Sequence, residues 1–169
     1  MRRLLLLRHA KSSWTDPGTR DHDRPLNERG RAAASAMGRY LRTEGLVPDL
    51  VRCSSALRTC ETVARLGLPD SAGLEIEPDL YLAHPETVLE LVRRSDDAVA
   101  TLLVVGHNPT THEVALHLAG GGDPDTLRRL GEKYPTGALA VLAVEGPWTA
   151  LGPGTTLLER FVVPRDLEQ

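Results

Sequence analysis

Leu4-Leu5-Leu6-Leu7-Arg8-His9-Ala10-Lys11-Ser12 is the stretch from which the rest of the chain can be read. Four leucines run without polar alternation into a cation, an imidazole and then small and polar residues. An apolar run of this length suits a strand buried on both faces. Periodicity alone leaves a buried helix open, but the abrupt change at Arg8 favours a strand that hands over to a loop. In open α/β sheets, ligands bind outside the carboxyl ends of the strands, where Arg8 and His9 would lie. A second stretch, Thr101-Leu102-Leu103-Val104-Val105-Gly106-His107-Asn108-Pro109, repeats the pattern. One strand ending in a histidine is unremarkable. Two that deliver histidines to the same sheet edge, one with an arginine beside it, point to a site.

Composition bounds what that site can serve. The chain has 169 residues, which fits a single domain over 1–169 with a sizeable core. The net charge of -3 supplies no basic field, so neither nucleic acid nor an anionic membrane is an expected partner. No apolar run approaches the roughly 20 residues of a membrane span. Met1-Arg2-Arg3 followed by Leu4–Leu7 is too short for a signal-peptide core of about 7–15 residues. A cytoplasmic protein is expected, working as a monomer. Cys53 and Cys60, the only cysteines, make no disulfide framework and no C-x-x-C pair; they read as small buried side chains.

Taken in order, residues 13–26 read as an irregular loop, with Asp16-Pro17-Gly18 as a turn and Asp21-His22-Asp23-Arg24-Pro25 beyond it. Following Arg8-His9, this loop can fold over the same site. Asn27 is suited to cap a helix that carries Ala33, Ala36, Met37, Tyr40 and Leu41 at helical spacing, with Gly45 and Pro48 as its stop. Asp49–Cys53 reads as a short strand. Ser54 or Ser55 could cap the helix after it, which places Arg58 in a first turn whose free N–H groups favour an anion. Leu74–Ile76 reads as an edge strand. A helix opens at Pro85, and another runs from Pro109 to Ala119, stopped by Gly120-Gly121-Gly122. Ala138–Val144 and Thr156–Val163 complete the strands. Apolar strands alternating with helices give an α/β fold: a three-layer α/β/α sandwich with a mostly parallel central sheet.

Two motifs invite other readings. His112-Glu113-Val114-Ala115-Leu116-His117 nearly spells a zinc-protease helix. Its histidines are i and i+5, about 140° apart on a helix, whereas that motif needs i and i+4 on one face. No metal ligation is expected. Gly120-Gly121-Gly122 and Gly152-Pro153-Gly154-Thr155-Thr156 lack the lysine of a P-loop and the spacing of a dinucleotide loop, and read as turns and caps.

Leu-Arg-His-Ala-Lys-Ser at 7–12, Ser-Ser-Ala-Leu-Arg-Thr at 54–59 and Val-Gly-His-Asn-Pro at 105–109 together resemble the histidine phosphatase superfamily, with its phosphoglycerate-mutase-like fold. Arg8–Trp14 with Asp21–Gly30 looks most like the phosphohistidine phosphatase branch, the SixA type. The resemblance spans residue 3 to about 163 and implies that His9 is a nucleophile that becomes transiently phosphorylated. It implies that Arg8, Arg58 and His107 surround the transferred group, with Lys11, Ser12 and Asn108 as further substrate-binding residues, and that no metal or cofactor is needed. General chemistry agrees: phosphoryl transfer asks mainly for positioning and charge stabilisation, and guanidinium forks match phosphate oxygens. The chain departs from the pattern after its third strand, where many relatives carry a glutamate that protonates an alkoxide leaving group. Here Glu77-Pro78-Asp79-Leu80-Tyr81 places a tyrosine in that region. The reading is therefore a metal-independent phosphatase acting on phosphohistidine in a partner protein. A phosphatase of small phosphorylated metabolites and a catalytically idle phosphate-binding module are the alternatives.

Overall fold

The computed structural model describes residues 1–168. One seven-stranded sheet is formed by β1 (Arg2–Arg8), β2 (Leu50–Ser54), β3 (Gly73–Glu77), β4 (Thr101–Gly106), β5 (Ala119–Gly122), β6 (Leu139–Val144) and β7 (Thr156–Val162), in the order β3-β2-β4-β1-β6-β7-β5. Only β6 runs against the others, antiparallel to both β1 and β7. The helices are α1 (Glu28–Thr43), α2 (Leu57–Leu66), α3 (Pro85–Arg93), α4 (Thr110–Leu118) and α5 (Pro124–Glu132).

The leucine run explains the three layers. In a strand, successive side chains point to opposite faces. Leu4 and Leu6 pack into one core with Val88, Leu89 and Val92 of α3 and Val114, Ala115 and Leu118 of α4. Leu5 and Leu7 pack into the other with Met37 and Leu41 of α1 and Leu66 of α2. All four are at most 1% exposed, so neither face of β1 tolerates a polar residue, and the absence of alternation follows.

Three local readings are corrected. The buried stripe of α1 is Gly30, Ala34, Met37, Gly38 and Leu41; Ala33, Ala36 and Tyr40 are only half-buried. The two glycines are there for contact with backbone. A Cβ at Gly30 would fall 2.0 Å from the Lys11 carbonyl oxygen, and one at Gly38 would fall 1.8 Å from that of Leu66. Gly120–Gly122 do not form a turn; they belong to β5, the edge strand paired with β7. A Cβ on Gly120 would meet the Gly154 carbonyl at 1.9 Å, so the absence of side chains admits a close neighbouring backbone. Finally, α5 lies in a stretch with no helix reading, yet it has Asp123 capping the Thr126 N–H and Pro124 in its first turn. Among the described residues no helix is long and apolar enough to cross a membrane.

Candidate active site

Strand register assembles the site. Leu7 pairs with Val105 and Arg8 with Gly106 along the parallel β1–β4 ladder, so His9 and His107 are the next residues out at the same edge. Their ring centroids are 5.4 Å apart. Neighbouring β2 pairs Cys53 with Val105, which brings Ser54 beside His107: Ser54 Oγ lies 2.8 Å from His107 Nε2. α2 starts just beyond and brings Arg58 in. Neither serine caps this helix. Its N-cap is Ala56, without a side-chain bond. Ser54 Oγ accepts from the Ala56 N–H, and Ser55 Oγ lies 2.9 Å from His22 Nε2.

His9 is held in one tautomer. Its Nδ1 is 2.7 Å from the Ala10 carbonyl oxygen, which can only accept, so Nδ1 carries the proton and Nε2 keeps its lone pair. Burial, helped by His107, Arg58 and Arg8, depresses its pKa to about 3 against the opposing Ala10 carbonyl. His107 is depressed to about 4 by burial and by Arg58 and Arg8. Both rings are neutral at pH 7. Burial and Arg58 also lower the Arg8 guanidinium, but an arginine stays charged.

Three buried nitrogen atoms at this edge have no protein partner. Arg8 Nε, Arg58 Nε and His107 Nδ1 are all buried without a hydrogen bond. The Ser54–His107 bond can run in either direction; in the tautomer in which Ser54 donates to Nε2, His107 Nδ1 carries the ring proton and faces the site as a donor. Buried unpaired donors are rare and call for an explanation; three on neighbouring cationic or imidazole groups suit an oxyanion. The remaining atoms of the two arginines are fixed from behind. Arg8 Nη1 donates to the Tyr134 carbonyl at 3.0 Å. Arg58 donates through Nη1 to the Asp21 carbonyl at 2.8 Å and through Nη2 to Asp21 Oδ2 at 3.1 Å.

The other expected site residues have different partners. Lys11 is exposed and lines a groove on the far side of its loop. Ser12 is buried, with its Oγ accepting from Arg24 Nη1 at 2.7 Å. Asn108 donates to the Tyr134 carbonyl at 2.9 Å and accepts from the His112 N–H, so it braces the site's wall. His112 Nε2 donates to the Leu130 carbonyl, and among the described residues no cluster of His, Cys, Asp and Glu could hold a metal.

Asp21, His22, Tyr81 and Tyr134 are neighbours that motif spacing did not assign to the site. Tyr81 donates to Asp21 Oδ2 at 2.6 Å and sits edge-on to His107 with centroids 5.7 Å apart. The Tyr81 hydrogen bond, with Arg58 and Arg24, holds the Asp21 carboxyl down at about 2. The same bond pushes the Tyr81 hydroxyl up. Neither is a ready proton donor at neutral pH. Beside Arg58 and His107 opens a cavity of about 360 Å³, walled by Leu80, Leu82, Ala83 and Thr110.

Comparison with known proteins places the chain in a family. The family model described as "Histidine phosphatase superfamily (branch 1)" matches residues 4–81. An uncharacterized protein of Mycobacterium tuberculosis is 45% identical over 161 residues, covering 94% of this chain and 100% of the relative. A solved structure described as a candidate phosphohistidine phosphatase SixA from Nakamurella multipartitia superposes with a TM-score of 0.86 at 33% identity, covering 96% of each chain. One given the same description, from Agrobacterium tumefaciens, superposes at 0.82 with 32% identity, covering 96% of this chain and 98% of that one. With its fold and these relatives in agreement, the chain belongs to the histidine phosphatase superfamily, alongside proteins of the SixA type.

Proposed function

We propose that this phosphatase hydrolyses phosphohistidine on a partner protein, without a metal, through a phosphorylated His9. The observation that carries the reading is the set of unpaired donors on Arg8, Arg58 and His107 around an imidazole whose Nε2 lone pair is free. Nε2 attacks phosphorus while the bond from phosphorus to the leaving nitrogen breaks, and that nitrogen takes a proton from solvent. Water then attacks the phosphoryl group on His9, releasing inorganic phosphate and restoring the neutral ring. Arg8 and Arg58 hold the phosphoryl oxygens, and His107 donates to one of them. Because the groups behind both arginines fix their orientation, the donors need little reorganisation when charge develops.

The leaving group decides the substrate. An alkoxide needs a positioned acid, worth about 10²–10⁴ in rate. Asp21 is ionised and already accepts from Tyr81, Arg24 and Arg58, and Tyr81 has been made a weaker acid. A departing imidazole needs less help, since its own pKa is about 6.5. The small-metabolite alternative draws on the cavity beside Arg58, which has room for a compact leaving group. In the proposed reading residues 1–169 work as one domain and as a cytoplasmic monomer.

The test is kcat/KM for a phosphohistidine peptide, p-nitrophenyl phosphate and a sugar phosphate in one buffer. The expected order is phosphohistidine first, aryl ester next and sugar phosphate last. A sugar phosphate turned over as fast as the peptide overturns the protein-substrate reading. Acid-labile, alkali-stable phosphate on the enzyme after brief exposure to substrate marks the His9 intermediate; a phosphate-binding module would carry none.

A further inference from the structure

The Lys133–Gly137 segment has two faces. On one, the Tyr134 carbonyl holds Arg8 and Asn108, and the Gly137 N–H donates to the carbonyls of Arg8 and His9 at 3.1 and 2.9 Å. On the other, Lys133 and Thr136 wall an open groove of about 500 Å³, which runs between the start of α1, the end of α5 and the turn Pro164–Leu167. Ala33, Phe161 and Val163 line the groove among polar residues. The rim is cationic. Lys11, Arg29, Lys133 and Arg165 are all exposed there. None has a side-chain hydrogen bond or ion pair among the described residues.

The acids of the groove are mostly committed. Asp166 accepts from Arg129 at 2.8 Å and from the Val163 N–H, and Glu132 pairs with Arg128 at 2.8 Å. Glu168 alone faces the groove without a partner among the described residues. In a chain of net charge -3, four exposed cations without side-chain partners among the described residues therefore gather on one groove. That groove is next to the catalytic edge: Lys11 is two residues from His9, at most about 7 Å of chain.

We infer that this groove docks an acidic segment of the phosphorylated partner protein, beside the residue that reacts at His9; the inference rests on the protein-substrate reading above. The contrast between the two sites selects the occupant. At His9 the donors are buried and convergent, as a compact oxyanion requires. In the groove the cations are exposed, mobile on long stems and spread along a rim, which suits steering and registering a charged chain.

The test uses a fluorescein-labelled, unphosphorylated Asp/Glu-rich decapeptide and a Ser/Asn-rich control, with anisotropy read in saturating inorganic phosphate to occupy the catalytic edge. The wild-type protein is expected to bind the acidic probe alone, more weakly as NaCl rises. Lys133→Glu/Arg165→Glu is expected to weaken it by roughly 10–100-fold, with Lys133→Gln/Arg165→Gln between. Turnover of p-nitrophenyl phosphate should stay within about twofold in both variants, which reports an intact fold and catalytic edge. No acidic binding in the wild type, equal binding in the reversal variant, or tighter binding of inorganic tripolyphosphate than of the peptide each overturns the inference. Phosphohistidine peptides with acidic and neutral flanks separate the two readings. If both turn over equally and the probe does not bind, the groove inference fails and the phosphohistidine reading stands. If neither turns over while the probe binds and the reversal abolishes it, the phosphohistidine reading fails and the acidic-peptide groove stands.

Discussion

Acidification should destabilise this protein through the two histidines of the site. In the unfolded chain each titrates near 6.5; in the folded protein His9 is depressed to about 3 and His107 to about 4. A depressed folded value means the unfolded state binds protons first as pH falls, so the stability of the neutral pair is present above about 6.5 and is lost below it. Each ring gives a slope near 1.4 kcal/mol per pH unit until its folded value is reached. Between pH 7 and pH 5 the pair should therefore cost about 4 kcal/mol, a large share of the roughly 5–15 kcal/mol of a folded domain. The assay is urea unfolding at pH 8, 7, 6 and 5 for the wild type and for His9→Asn/His107→Asn. The variant should lose much less over the same range, because the other histidines and the carboxylates titrate in both proteins. Inorganic phosphate should flatten the wild-type loss, since an anion between the rings favours their protonated forms. Parallel pH profiles for the two proteins would refute the account: the rings would then not be buried and neutral.

Other variants probe separate parts of the argument. His9→Ala should abolish turnover with an unchanged circular dichroism spectrum, and near-normal turnover would reassign the nucleophile. Arg58→Ala should cut kcat by roughly 10²–10³, the usual cost of one preorganised donor; Arg58→Lys should also be slow in steady-state assays, because one ammonium cannot reach both Asp21 and a phosphoryl oxygen. Gly38→Ala sets a gain in helix propensity of up to about 1 kcal/mol against a Cβ 1.8 Å from the Leu66 carbonyl. The backbone clash should win by at least about 1–3 kcal/mol in urea unfolding, and a stabilised variant would show that α1 and α2 can separate freely.

Much of the fold was legible because the strands are buried on both faces. Leu4–Leu7 and Leu102–Val105 carry no polar residue, and that pattern alone separates a central strand from an amphipathic one. The layers followed from alternation within β1. The glycines misled, for a physical reason. In sequence, Gly120–Gly122 looks like a helix stop, whereas in the fold it is a strand made narrow by the backbone of Gly154. Likewise Gly30 and Gly38 belong to the buried face of α1, where no count of apolar residues would place them. α5 hid because it is short and mostly polar, and its apolar face is only Leu127 and Leu130, of which Leu130 alone is fully buried. Arg8, His9, Arg58 and His107 converge because each lies at or just past a strand end, a relation that sequence order preserves. Asp21 and Tyr81 meet across 60 residues; the 13–26 loop after His9 and the place of Tyr81 after the third strand brought each near the site, but no local pattern encodes the hydrogen bond between them.

The position of Asp21 bears on why the site can be strong without being self-destructive. Two guanidiniums facing two imidazoles is a repulsive arrangement if the rings are protonated, and burial keeps them neutral instead. The arginines still need a counter-charge when no phosphoryl group is bound. Asp21 provides it from the outer side of Arg58, at 3.1 Å, with a side chain that remains 47% exposed. A buried carboxylate there would neutralise the fork and compete with phosphate. An exposed one is screened by water and so restrains the fork more than it discharges it. Its bond from Tyr81 then adds a geometric constraint, since an ionised Asp21 tied to Arg58, Arg24 and Tyr81 holds the loop from residue 13 to 26 against the catalytic edge. The groups that make the two residues poor acids are thus the groups that position Arg58, so in the proposed mechanism orientation of Arg58 takes the place of leaving-group protonation.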